Sequence, residues 1–216
     1  MYLCILIQEC NSLYIMRNNN VLGFVIILVS FLFASSVTAQ ENDLLSPSRN
    51  DLKITMLSLG SGSTRVTYER AFNELNSGEV TVGIIGLGWD WMNHSDPSGL
   101  LLKFAYKWRL VCQDRANSML GGLYVKPELV FADFRYRDKK NTSGEPSKCP
   151  ARTNQIALLA ECGYQLVVNW FVFDIYMGFG PSVGNGNQNN YFHSFMLFPK
   201  ETVLAFTAGY RIGVNF

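Results

Sequence analysis

Beyond residue 50, apolar and polar positions alternate with a period of two, which is the pattern of β-strands whose two faces meet different surroundings. In Leu100–Leu110, bulky apolar residues fill every second position, and Lys103, Lys107 and Arg109 lie between them. The alternation predicts about eight strands and no convincing helix. The predicted strands span residues 52–59, 63–72, 79–91, 99–110, 122–137, 153–168, 170–183 and 202–216.

Several predicted strands are long, whereas strands of soluble proteins usually have about five or six residues. Eight long, alternating strands fit two kinds of closed barrel. A soluble lipocalin-like carrier turns its apolar face inward around a ligand. A transmembrane barrel turns that face toward lipid and keeps polar or small side chains inside.

The composition of the less apolar face favours the transmembrane barrel. That face carries charges of both signs among Gly and Ala residues, while the opposite face is strongly aromatic and larger than the apolar patches of soluble monomers. We therefore predict an all-β fold over residues 51–216, an up-and-down antiparallel transmembrane β-barrel of about eight strands. The residues predicted to form the interior charge network are Arg65, Glu69, Lys103, Lys107, Arg109, Lys126, Glu128, Glu161, Asp174 and Arg211.

Pairing of these interior charges is expected, because an isolated buried ion costs several kcal/mol. Side chains largely fill the interior of a narrow eight-stranded barrel. We predict a network that plugs the lumen, with a thin proton or ion path as the functional alternative. A porin is not expected, because water-filled channels need roughly 16 strands.

The N-terminal region has a different pattern. Residues Val21–Phe33 form an apolar run without a charge, preceded by Arg17 and followed by small residues up to Ala39. The run has 13 residues, and a membrane-spanning helix needs about 20. Residues 16–39 are therefore predicted to be a secretory signal peptide cleaved after Ala39, with an uncleaved anchor helix as the alternative.

The signal is best formed if translation begins at Met16. Residues 1–15 are then an upstream extension, although the sequence leaves the start codon open between Met1 and Met16. Residues 40–50 are interpreted as a short N-terminal periplasmic segment that leads into the barrel.

Composition excludes two classes of protein. The 216 residues carry a net charge of +1, and only 16% of them are charged. A nucleic-acid-binding protein needs a basic excess to neutralise phosphates, so no nucleic acid is expected as a partner. Low charge together with 48% hydrophobic residues also argues against disorder.

Candidate catalytic chemistry is limited to two histidines, His94 and His193, which fall in two different predicted loops. A nucleophilic triad needs a base oriented by a third residue, and no such partner is fixed by spacing. We predict no enzyme and no catalytic residue, and keep a barrel-embedded hydrolase or lipid A-modifying enzyme as the alternative. No residues have metal-ligand spacing, so no metal or cofactor is predicted.

The predicted topology places the longest and most polar loops, 138–152 and 184–201, at the outer end. Cys112 falls at the inner end and Cys149 at the outer end, whereas a disulfide needs Cα atoms within about 7 Å. We therefore predict no bond between them, and we expect Cys162 to face lipid.

Two further features concern the strand ends and one proline. Trp89, Trp91, Trp108 and Trp170 lie near predicted strand ends, which suits an aromatic girdle at a membrane boundary. Pro127 removes a hydrogen-bond donor from the fifth strand, which predicts either a bulge there or a misplaced strand boundary.

Three segments carry a resemblance: Thr67–Arg70, Gly122–Glu128 and Ala205–Phe216. With them, residues 50–216 resemble the small, about eight-stranded outer-membrane β-barrel proteins of Gram-negative bacteria. The resemblance implies outer-membrane lipid and the barrel assembly machinery as partners, but it is not specific for an activity. The long outer loops 138–152 and 184–201 lead us to expect a structural or surface-interaction role, with a possible external partner at these loops. The residues that match the C-terminal assembly signal of such barrels are Tyr210, Ile212, Val214 and Phe216.

Overall fold

The computed structural model describes residues 48–90, 95–113, 118–137, 151–184, 196–197 and 204–216. The segments 1–15 and 16–39, the cleavage site at Ala39 and most of 40–50 lie outside the described residues. The described elements are β1 Asn50–Thr55, α1 Met56–Gly60, β2 Ser61–Ala71, β3 Asn76–Asp90, β4 Ser95–Cys112, β5 Gly122–Arg137, β6 Ala151–Val168, β7 Phe171–Gly184, β8 Met196–Leu197 and β9 Leu204–Asn215.

Eight of these strands close an antiparallel up-and-down barrel, which confirms the all-β barrel predicted from the sequence. Strands β1 to β7 pair in chain order, β7 pairs with β9, and β9 pairs with β1 to complete the circle. The closing pairs run from Asp51–Asn215 to Thr55–Arg211. The two residues of β8 add a short strand beside Phe206 and Ala205.

The barrel has two ends. At the end that we call the terminal end, the Asn50 N–H donates to the Phe216 carbonyl at 3.1 Å and the Phe216 N–H donates to the Asn50 carbonyl at 2.9 Å. The opposite end is called the loop end. At the terminal end β6 and β7 are joined by the tight turn predicted near Asn169, which has a φ of 55°. Asn tolerates this left-handed conformation better than most residues.

The segment after β1 differs from the prediction. The strand expected over 52–59 ends at Thr55 and is followed by the helix α1, which the alternation does not predict. Met56 and Leu57 are adjacent apolar residues, so the period of two ends here, and the Ser58 hydroxyl donates to the Thr55 carbonyl at 2.7 Å. No helix among the described residues is long and apolar enough to cross a membrane.

Pro127 lies inside β5, where it pairs with Ala160 in an unbroken register. Both explanations offered for it from the sequence are therefore wrong. The register between β4 and β5 shifts twice, between Ser95 and Ser98 and between Arg109 and Val111, and neither shift lies at Pro127. The second shift lies beside Gly122, whose φ is 133° and where an added Cβ would be 1.9 Å from the Val111 carbonyl oxygen. Only glycine allows the two backbones to approach so closely.

Side chains alternate between a buried inner face and an exposed outer face. On β1, Lys53 is fully buried while the adjacent Ile54 is 42% exposed. On β7, Asp174 is fully buried while Ile175 is 53% exposed. The apolar face therefore points outward, and the less apolar face points into the barrel.

Candidate functional site

All ten charged residues predicted to form the interior network lie on the inner face. None of them is more than 7% exposed. Nine are drawn together in the middle and terminal half of the barrel, whereas Arg65 lies nearer the loop end. The sequence could predict this placement of the charged residues because residues two apart on a strand share a face.

The sequence interpretation missed three further charged residues on the inner face, Asp51, Lys53 and Glu79, which are at most 3% exposed. Lys53 lies between Leu52 and Ile54, so the alternation could have placed it inside. Asp51 and Glu79 stand at or beyond the predicted strand starts, where the pattern is short. With them the described interior holds seven cationic and six acidic side chains, so its charges nearly balance.

Glu79 on β3 is the centre of the interior charge network. Its carboxylate lies 2.8 Å from Lys107 Nζ, 2.9 Å from Lys53 Nζ and 3.1 Å from Arg211 Nη1. Lys126 Nζ also donates to it, at 2.5 Å. These four cations come from four strands other than β3, so one carboxylate links distant parts of the barrel wall. A buried carboxylate with this many partners is compensated for the loss of water.

Two further groups of contacts extend the network. Toward the terminal end, Glu69 accepts from Lys107 Nζ at 2.8 Å and from Arg109 Nη2 at 3.0 Å. Toward the loop end, Lys126 Nζ lies 3.0 Å from Glu128 and 3.1 Å from Glu161. Lys126 therefore connects the carboxylate of Glu79 to those of Glu128 and Glu161, which lie toward the loop end.

A chain of polar contacts continues from the network to the terminal end. Lys53 Nζ donates to Gln165 Oε1 at 3.1 Å, and the Gln165 amide donates to Asp51. The Asn215 amide donates to the other Asp51 oxygen at 2.6 Å, and the Ser48 hydroxyl donates to Asn215 Oδ1. The polar interior thus reaches the terminal end without a break.

Toward the loop end the inner face carries an apolar cluster, which the sequence interpretation did not predict, beside the buried polar side chains of Ser63, Arg65, Gln155 and Ser182. Leu101 and Val130 are fully buried there, on the same strands and the same face as the charged residues. The members of this apolar cluster are Ile85, Leu101, Val130, Ala132, Phe134, Ala157, Leu159 and Ala205. The interior charge network therefore fills the middle and terminal half of the barrel, and the apolar cluster lies in the half toward the loop end.

Glycines make room for inward tyrosines. An added Cβ at Gly163 would lie 2.5 Å from Tyr124 Oη, and one at Gly209 would lie 2.8 Å from Tyr176 Oη. The Tyr124 hydroxyl donates to Asp174 Oδ1 at 2.7 Å, and Lys107 Nζ lies 4.0 Å from the centre of the Tyr124 ring. The aromatic ring thereby contributes a cation–π contact to the charged half.

The connection between β4 and β5 packs against the terminal end of the barrel. It buries Leu120 completely. The side-chain amide of Gln113 donates to the Val167 carbonyl at 3.1 Å and accepts from the Val167 N–H at 3.0 Å, as a neighbouring strand would. These contacts hold the start of the connection against the terminal end of β6.

Other sequence candidates are placed only in part. His94, His193, Cys149 and the loops named as partner sites lie outside the described residues, except for the few that fall in strands. Cys112 and Cys162 are both exposed free cysteines. The residues predicted to form a C-terminal assembly signal, Tyr210, Ile212, Val214 and Phe216, occupy the outward positions at the end of β9 and just after it.

No group of His, Cys, Asp and Glu suited to a metal ion occurs among the described residues. Most carboxylates of the interior network contact Lys or Arg, whereas Asp51 accepts from the amides of Gln165 and Asn215. Comparisons with protein-family models, curated proteins and solved structures found no match to this chain.

Proposed function

We propose that this chain is an outer-membrane β-barrel protein whose lumen is filled by side chains, and that it has a structural or surface-interaction role through its external loops, 138–152 and 184–201. The observation that carries the proposal is the orientation of the faces, with charges inside and large apolar side chains outside. A soluble carrier for an apolar ligand needs the opposite orientation. A barrel in lipid needs the observed one.

The dimensions of the outer face support the membrane location. On β6, the outward positions from Ile156 to Val168 hold apolar or aromatic side chains. At about 3.3 Å per residue and a tilt of about 40°, this stretch spans roughly 30 Å, which matches the hydrocarbon core of a bilayer. Beyond it toward the loop end follow Asn154 and the exposed ion pair of Arg152 with Asp133.

Aromatic side chains on the outer face gather toward the terminal end. Phe72 stacks on Tyr106 with 6.0 Å between ring centres, and Tyr106 contacts Trp108 at 5.2 Å. Trp170, in the β6–β7 turn, is 65% exposed. Such residues favour the boundary between lipid and water, so this belt supports a membrane boundary at the terminal end.

The filled interior supports a barrel that does not conduct. The charged half occupies the middle of the lumen, and the apolar cluster lies between it and the loop end. An ion crossing the barrel would meet both. We therefore propose a structural plug in preference to a proton or ion path.

Cell fractionation and gel mobility test the location. The full chain, produced in a Gram-negative host, is expected in the outer-membrane fraction, to need detergent for extraction, and to migrate faster before boiling than after. A protein that stays in solution without detergent would overturn the membrane proposal. Steady conductance in a planar bilayer would overturn the filled lumen while leaving the location intact.

Shortened loops test the surface role. A variant with tight turns in place of 138–150 and 185–201 should keep its heat-dependent mobility, because the eight strands that close the barrel lie outside both segments and only the two residues of β8 are lost. If this variant restores every envelope or adhesion defect of a deletion strain, the role assigned to the loops is wrong.

A further inference from the structure

A groove of about 440 Å³ lies at the terminal end, outside the charged interior. It is lined by Arg49, Phe72, Asn73, Glu74, Leu75 and Met119. These residues are brought together by backbone contacts between distant segments. The Ala71 N–H donates to the Arg49 carbonyl at 2.8 Å, and the Met119 N–H donates to the Ser48 carbonyl at 3.2 Å.

One side of the groove belongs to the aromatic belt. Phe72 folds back over β3, where an added Cβ at Gly78 would lie 2.9 Å from its ring, and the same ring stacks on Tyr106. Phe72 and Leu75 are 59% and 55% exposed. The groove therefore continues the outer apolar surface at the terminal end, where the aromatic residues lie.

The other side of the groove carries one cation and one anion, Arg49 and Glu74. Both side chains are exposed, and neither has an ion-pair partner within the described part of the chain. The turn that presents Glu74 is held in place, because Arg109 Nη1 donates to the Glu74 carbonyl at 3.2 Å while Arg109 Nη2 binds Glu69 in the interior. The interior network thus holds the turn that carries Glu74 at the terminal end of the barrel.

We propose that this groove binds a phospholipid with a zwitterionic, primary-amine headgroup, phosphatidylethanolamine. Arg49 binds the phosphate, since a guanidinium matches its oxygens, and Glu74 accepts hydrogen bonds from the ammonium. Phe72 and Leu75 contact the acyl chains. The inference rests on the proposed membrane location, and it adds a specific lipid bound at the terminal end of the barrel.

Charge and hydrogen bonding separate this lipid from its relatives. Phosphatidylglycerol offers the phosphate but no ammonium for Glu74. Phosphatidylcholine offers a cation whose methyl groups leave no N–H to donate. The groove therefore predicts an order of preference, with phosphatidylethanolamine first.

Native mass spectrometry tests the order. The detergent-extracted full chain is mixed with equal amounts of dioleoyl phosphatidylethanolamine, phosphatidylcholine and phosphatidylglycerol, and the lipid that remains bound is measured. Phosphatidylethanolamine is expected to exceed the others by roughly threefold to tenfold, the effect of one exposed charge-assisted hydrogen bond.

Two groove variants and one control complete the experiment. Glu74→Gln should lower retention of phosphatidylethanolamine to the level of phosphatidylcholine, and Arg49→Gln should lower retention of all three lipids. Arg152→Gln, at the loop end, should leave the order unchanged. Equal retention of the three lipids, or loss of preference in the control alone, overturns the groove proposal.

The two proposals fail in different ways. A chain that extracts only with detergent and shows heat-dependent mobility, yet has no lipid preference, contradicts the groove and leaves the membrane location standing. A chain that is soluble without detergent contradicts both.

Discussion

The two halves of the barrel interior are filled by different side chains, charged in one half and largely apolar in the other. Near the middle and terminal end, Lys53, Glu79 and Arg211 belong to a network in which each charge depends on partners from other strands. Near the loop end, Leu101, Val130 and their neighbours fill space by apolar contact. Apolar packing tolerates small changes of position, whereas a buried charge needs its partner at a fixed distance. The charged half should therefore be the more sensitive to substitution.

The largest effect is expected for Glu79→Gln. The amide keeps the size of the side chain but removes the negative charge that four buried cations share, which should cost about 4 kcal/mol of unfolding free energy. Urea unfolding of the barrel in detergent micelles, followed by gel mobility, measures it. Glu74→Gln, the same change at an exposed site, is the control and should cost close to nothing. Equal stability of the two variants would contradict the central role of Glu79.

A smaller loss is expected in the apolar half. Leu159→Ala removes a fully packed side chain and leaves a cavity beside its neighbours in the cluster, at a cost of about 3 kcal/mol. Leu158→Ala, one residue away on the outer face, is the matched control, because in the proposed membrane location detergent or lipid fills the space. The same unfolding assay compares them. If Leu159→Ala costs more than Glu79→Gln, the two halves rank in the opposite order.

Gly163→Ala tests how rigid the charged half is. The new methyl group would meet the Tyr124 hydroxyl and the Ile175 carbonyl, both at 2.5 Å, so we expect a loss of about 2 kcal/mol. Adding Tyr124→Phe removes one of these clashes and should restore part of the loss. Without any rescue, the strain would be assigned to the backbone of β7 alone.

The smallest effect is expected for Arg152→Gln on the outer surface. Arg152 binds Asp133 with two hydrogen bonds, of 2.9 and 2.6 Å, but both side chains are about half exposed. Water and salt screen such a pair, so its loss should lower the unfolding free energy far less than Glu79→Gln does, and the small effect should vanish in high salt. A loss as large as that of Glu79→Gln would mean that burial is not what separates the two kinds of ion pair.

The alternation of apolar and polar residues along the strands made the fold and much of the interior predictable. Lys103, Lys107 and Arg109 alternate with bulky apolar residues, so their common face could be identified without a structure. The apolar half could not be found in this way. In Ala157–Ala160, apolar residues occupy both faces, so the alternation that distinguishes inside from outside disappears.

Other features depend on contacts between distant segments. The helix α1 begins at Met56 and Leu57, two adjacent apolar residues that interrupt the alternation. The strand predicted over 52–59 ignored this interruption. The groove joins Arg49, Glu74 and Met119, which no spacing in the sequence relates. Tight turns and irregular connections determine such sites, and their geometry is settled by what they pack against.

The early end of β1 has a mechanical consequence. The closing strands share five residue pairs, Asp51–Asn215 to Thr55–Arg211, whereas β5 and β6 share fifteen. Strand β1 shares only five pairs with β2 as well, so heat or force should open the wall first at β1. Lys53 stands on one side of this joint and Arg211 on the other, and both bind Glu79 across the lumen. A single carboxylate on a third strand thus bridges the two closing strands from inside the barrel.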